Sequence, residues 1–135
     1  MDTPSGSRGT ILVVDDDAQV RAVSARALAD EGFDVLQAQD AATALELLQD
    51  PLGAGVCLVV TDVAMPGMTG DELGRVLHRL HPTLPVLYMS GYSRPDFDFL
   101  PPGDLNLCWL QKPFSLSALV ERAQALCIPS RTHAG

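Results

Sequence analysis

Five apolar runs punctuate this chain, and between them apolar positions recur at helical spacing. Thr10-Ile11-Leu12-Val13-Val14 and Val56-Cys57-Leu58-Val59-Val60 are unbroken, largely β-branched and aliphatic stretches. That is the pattern of a parallel strand covered on both faces. Shorter runs at 33–38, 85–89 and 107–110 predict three further strands. Helices are predicted over 18–31, with Val20, Val23, Ala27 and Leu28 inward, and over 41–49, with Ala44, Leu45 and Leu48 inward. Two more are predicted over 70–80, through Leu73, Val76, Leu77 and Leu80, and over 115–127, through Leu116, Leu119, Val120, Ala123 and Leu126. Their ends carry matching signals: Asp17, Asp40 and Ser115 or Ser117 as N-caps, Gly32 as a C-cap, and His81-Pro82 as a stop.

Strand and helix alternate, which predicts a parallel sheet with right-handed crossovers and helices on both faces. One segment resists this pattern. Residues 93–106 contain Pro95, Pro101, Pro102 and Gly103, and proline inside a helix costs about 3 kcal/mol. A helix there is expected to span a turn or two around Asp96 to Leu100, in what should be the most mobile part of the domain. Residues 1–9 read as a linker, 10–127 as one domain, and 128–135 as a tail.

Polar chemistry sits where the strands stop. Strand one runs into Asp15-Asp16-Asp17, strand three into Thr61 and an exposed Asp62 before the turn Met65-Pro66-Gly67, strand four into Ser90-Gly91, and strand five into Gln111-Lys112-Pro113. All strand exits of a parallel sheet lie along one edge, so these distant residues are predicted to converge. Carboxylates crowded together repel unless a cation is present, and Mg²⁺ is held by one or two carboxylates plus phosphate and water. Asp15 and Asp16 therefore read as the metal end of the site and Asp62 as a nucleophile able to form an aspartyl phosphate. Lys112, the only lysine in the chain, supplies a cation for phosphoryl oxygens, and Ser90 a hydroxyl donor. Asp17 reads as a cap, and His78, His81 and His133 as solvated.

Composition narrows the partners. At 135 residues and 47% hydrophobic the chain suits one domain, burying about two thirds of its unfolded surface. A net charge of -8 argues against nucleic acid or an anionic membrane as partner. Cys57, Cys108 and Cys127 are odd in number and lack CxxC spacing. They read as reduced core thiols of a cytoplasmic protein, not as a disulfide framework or zinc site.

ILVVDDD, VVTDVAMPGMTG, LYMSGYS and LQKPF, in this order and spacing, resemble the signatures of receiver domains of two-component response regulators. The resemblance spans residues 10–127. It implies a flavodoxin-like α/β fold, a doubly wound five-stranded parallel sheet of order 2-1-3-4-5 with a short or irregular fourth helix. It further implies that Asp62 accepts a phosphoryl group from a kinase phosphohistidine, that Asp15, Asp16, Asp62 and the Ala64 backbone carbonyl serve Mg²⁺, and that Ser90 and Lys112 bind phosphoryl oxygens. Trp109 stands where the family places a switch aromatic, and Ala64 and Tyr92 where it tunes phosphate lifetime. YMSGY with LQKPF resembles in particular the receivers fused to hybrid sensor histidine kinases. The implied partner is a histidine kinase or histidine phosphotransfer domain, in cis or in trans, acting on a monomer or weak dimer that catalyses only its own phosphorylation and dephosphorylation. Two other families share part of this pattern. A haloacid-dehalogenase-like phosphatase would use Asp15 and Asp17 but wants Thr or Val where Gln19 stands, and a pseudo-receiver would lack one of the acids, the hydroxyl or the lysine, all of which are present.

Overall fold

Alternation of strand and helix produces the sheet that the apolar runs predict. The structure, a computed structural model, describes residues 8–53, 55–91 and 109–127. Strands β1 (Thr10–Val14), β2 (Asp34–Ala38), β3 (Val56–Asp62), β4 (Val86–Ser90) and β5 (Trp109–Gln111) form one parallel sheet in the order β2-β1-β3-β4-β5. Helices α1 (Ala18–Asp30), α2 (Ala41–Gln49), α3 (Gly70–Leu80) and α4 (Leu116–Leu126) cover its two faces. The segment 93–106 with its expected helix, Tyr92, Cys108 and the tail 128–135 lie outside the described residues, as do residues 1–7 of the linker.

The central strands are apolar throughout because both faces are covered. Leu12, Val14, Val59 and Tyr88 pack with Leu73 and Leu77 of α3 and Ala41 and Ala44 of α2. On the other face Ile11, Val13, Leu58, Val60, Leu87 and Met89 pack with Leu28 of α1 and Leu119 and Ala123 of α4. Helix starts follow the predicted caps: Asp17 Oδ1 accepts the Gln19 and Val20 amides, Asp40 takes the Thr43 amide, and Ser115, not Ser117, takes the Ala118 amide. Thr69 adds a capping box with Glu72 at the start of α3. Gly32, just past α1, has φ +99°, the left-handed conformation that glycine adopts without a Cβ penalty.

Three positions expected inside are exposed: Val23 at 51%, Leu80 at 58% and Leu116 at 42%. In α1 the buried stripe runs through Ser24, Ala25 and Leu28, and neighbouring residues point about 100° apart on a helix. Val23 is thereby turned off the stripe. Leu80 and Leu116 are the last residue of α3 and the first of α4, at helix ends rather than in their middles. Two of the cysteines meet: Cys57 and Cys127 bring their sulfurs into contact, with Cα atoms 5.2 Å apart, although 70 residues separate them. Topology, not sequence spacing, brings them together.

Candidate functional site

Strand exits carry the site. β3 continues two residues past its apolar run, so Asp62 is the last residue of the strand, in register with Met89 of β4. That corrects the expectation of an exposed acid: Asp62 is only 6% exposed. Its backbone is fixed from several sides. The Val63 amide donates to the Met89 carbonyl, the Thr61 hydroxyl donates to the Asp62 carbonyl at 3.0 Å, and the Gly70 amide closes the loop by donating to the Val63 carbonyl. Gly67, at φ +76°, turns that loop after Met65-Pro66 as its sequence predicts.

Asp15, one residue past β1, is fully buried. Its Oδ1 accepts the Asp17 amide at 2.9 Å, whereas among the described residues Oδ2 makes no hydrogen bond and faces the Lys112 ammonium at 3.5 Å. Asp16 beside it is exposed. Carboxylate oxygens of Asp15, Asp16 and Asp62 lie within 4.8 Å of one another, an arrangement able to hold a metal ion. A buried carboxylate oxygen that makes no hydrogen bond, beside the Lys112 ammonium in a three-acid cluster, fits a hard divalent cation with oxygen ligands. Burial raises the Asp15 pKa above the ordinary carboxylate value, with the Asp17 amide and Lys112 opposing and the neighbouring acids adding to it.

Lys112 follows β5 and reaches back into the cluster. Its Nζ lies 3.2 Å from Asp62 Oδ1 and 3.5 Å from Asp15 Oδ2. Burial alone would lower its pKa, but the charges of Asp15 and Asp62 outweigh burial and hold it above the usual lysine value. Its backbone is tied to β4, where the Lys112 amide donates to the Ser90 carbonyl at 2.7 Å. Ser90, 2% exposed, ends β4 opposite Gln111. Ala64 is exposed in the loop two residues after Asp62. Trp109 is half-buried opposite Tyr88 and packs on the α2 and α3 side of the sheet, and the Arg122 guanidinium of α4 donates to its carbonyl.

Sequence reasoning missed two contributors. Arg21 donates through Nη1 to the Asp15 carbonyl at 2.8 Å, pinning the peptide that joins Asp15 to Asp16. Its signal in the sequence is only a basic residue one helical turn past Asp17. Gly70 is the second, because a Cβ there would stand 2.1 Å from the Asp62 carbonyl oxygen. Asp17, meanwhile, is engaged as the α1 cap, which removes the second acid from the Asp-x-Asp phosphatase reading.

Comparison with known proteins agrees with this fold. The response regulator receiver domain family matches residues 11–124. The chain is 41% identical over 115 residues to the sensor kinase CckA of Brucella abortus, covering 85% of this chain and 12% of that protein. It is 33% identical over 122 residues to the response regulator receiver protein CpdR of the same organism, covering 87% of this chain and 96% of CpdR. The solved receiver domain of the hybrid histidine kinase CckA superposes with a TM-score of 0.71 at 33% identity, covering 88% of this chain and 99% of that domain. The chain thus spans about an eighth of the sensor kinase it matches and nearly all of CpdR.

Proposed function

The chain belongs to the response regulator receiver domain family of two-component signalling, and on that premise we propose that Asp62 is its phosphoacceptor. One observation carries the reading: at the carboxyl edge of the sheet three acids from two strand exits lie within 4.8 Å of one another, and the lysine from a third pairs with two of them, Asp15 and Asp62.

In the proposed reaction a carboxylate oxygen of Asp62 attacks the phosphorus of a kinase phosphohistidine. The P–N bond breaks as the new P–O bond forms, and the imidazole nitrogen keeps the bonding pair. Asp15, Asp16, Asp62 and the Ala64 carbonyl would hold Mg²⁺, which when bound supplies counter-charge for the oxygens of the transferring group. Lys112 keeps its proton and offers a fixed positive charge from the other side, and Ser90 donates its hydroxyl to a phosphoryl oxygen. Phosphorylation adds a charge of about -1.5 to -2 beside existing acids. Ser90 and Lys112 are drawn toward it, and Trp109, on the same short strand as the residues leading to Lys112, shifts between two pre-existing positions. Partners of matching chemistry are a histidine kinase or a histidine phosphotransfer domain. The likeness to CckA favours a receiver of the hybrid-kinase kind. Among the described residues no helix is long and apolar enough to cross a membrane, in keeping with the proposal that this domain works in the cytoplasm.

Trp109 is the only tryptophan, so its fluorescence tests the proposal without a cognate kinase. Beryllium fluoride, a phosphoryl mimic, added with Mg²⁺ should change that fluorescence in the wild type and leave Asp62→Asn unchanged. Ser90→Ala should bind the mimic with the Trp109 response lost. An equal response in wild type and Asp62→Asn would overturn the assignment.

A further inference from the structure

At the opposite end of β3 from Asp62 the sheet has an irregularity with a chemical consequence. The register between β1 and β3 slips between Thr10, opposite Val56, and Ile11, opposite Leu58. Cys57 is therefore an extra residue, a bulge, in β3. Bulges re-aim side chains, and the two faces of the sheet show the effect. Val56 and Val59 face the α2 and α3 side, whereas Cys57, Leu58 and Val60 all face the side covered by α1 and α4. Two consecutive residues thus share a face, and Cys57 is turned toward the layer that contains α4. Waiting there is Cys127, the C-cap of α4. The two Cα atoms are 5.2 Å apart, within the roughly 4.4–6.8 Å that a disulfide spans.

We propose that Cys57 and Cys127 are a reversible redox modification site, oxidised by a low-molecular-weight disulfide to a cross-link that fastens the end of α4 to the start of β3. Both redox states have a place in the fold. Oxidised, the two sulfurs, which already touch, would bond to each other. Reduced, the Cys57 thiol has the Thr10 carbonyl oxygen at 3.4 Å as an acceptor. Entry is through Cys57, which is half-buried, because Cys127 is only 4% exposed. The Cys57 thiolate attacks one sulfur of the small disulfide, whose S–S bond breaks and releases one thiolate. The Cys127 thiolate then attacks the Cys57 sulfur of the mixed disulfide and releases the second. Two cysteine thiols lose two protons and two electrons, and two small thiols carry both away.

The cross-link closes a loop of 70 residues and so restricts the unfolded chain far more than the folded one. It also anchors the helix whose Arg122 holds the Trp109 carbonyl. None of this depends on Asp62 being phosphorylated, so the site stands or falls separately from the proposed function.

The test uses Cys108→Ala, which leaves only this pair, equilibrated in glutathione buffers from fully reduced to fully oxidised, alkylated and weighed intact. Oxidising buffer should give an unalkylated chain lighter by two hydrogens than the reduced form, and returning it to reducing buffer should restore two alkylation sites. Tm should rise with oxidation by on the order of 10 °C. In a further Cys127→Ser variant, Cys57 should instead carry one glutathione and Tm should not rise. Peptide mapping of the oxidised wild type, with all three cysteines, should recover Cys57 linked to Cys127. Two alkylated cysteines after full oxidation, separate glutathione adducts on each, or a bond that reducing buffer does not reopen would each overturn the proposal.

Discussion

At the scale of single residues, the candidate site is governed by close approach. Lys112 Nζ sits between two carboxylates that would otherwise repel each other, and Arg21 holds the Asp15 carbonyl from below. Gly70 is as consequential although it has no side chain. A Cβ there would meet the Asp62 carbonyl oxygen at 2.1 Å, and the Asp62 carbonyl carbon and Val63 Cα at 2.8 Å. These are backbone atoms and cannot swing away. Gly70→Ala is therefore expected to destabilise the fold by at least the roughly 1–3 kcal/mol typical of overpacking, and to displace Asp62. Thermal denaturation reads the first effect; an unchanged Tm would show that the loop yields freely. Asp15, Asp62, Ser90 and Lys112 were legible because each follows an apolar run. Gly70 and Arg21 were not, since their importance lies in distances to residues with which they share no pattern.

At the scale of elements, local chemistry and packing agree for most of the chain. The caps at Asp17 and Asp40 were readable because a short acidic side chain stood just before a helical pattern. α3 is the helix that begins at the site, and its capping box fixes where it begins: the Thr69 hydroxyl accepts the Glu72 amide, while Glu72 Oε1 accepts the Thr69 amide at 2.9 Å. Thr69→Ala should cost about 1 kcal/mol, seen as a lower urea midpoint with an unchanged slope, and Thr69→Ser should recover most of it. A Thr69→Ala midpoint equal to wild type would mean that tertiary packing alone sets the start of α3. Sequence patterns misplaced Val23, Leu80 and Leu116, because periodicity marks an apolar stripe without saying how far the neighbouring layer reaches. The bulge at Cys57 was equally illegible. It exists only as a relation between β1 and β3, and with it the pairing of Cys57 and Cys127 stayed hidden.

For the whole molecule, the parallel sheet gathers acids from separate strands at one edge and leaves a fully buried Asp15 whose charged form is disfavoured by burial. A cation that binds the folded cluster and not the unfolded chain should offset that cost. Saturating Mg²⁺ at about a hundred times its dissociation constant is expected to stabilise the fold by about 2.7 kcal/mol, read as a higher Tm that chelation reverses. Asp16→Asn should lose most of that shift while keeping the metal-free Tm near wild type, because Asp16 is exposed. A Mg²⁺ response untouched by the substitution would place the metal elsewhere. Whether the converging edge makes Asp62 a phosphoacceptor is read by intact mass after incubation with a small phosphodonor. A single phosphoryl adduct that requires Mg²⁺ and is absent from Asp62→Asn is expected. A folded wild-type protein that gains no adduct, or an Asp62→Asn protein that gains the same one, would contradict that role.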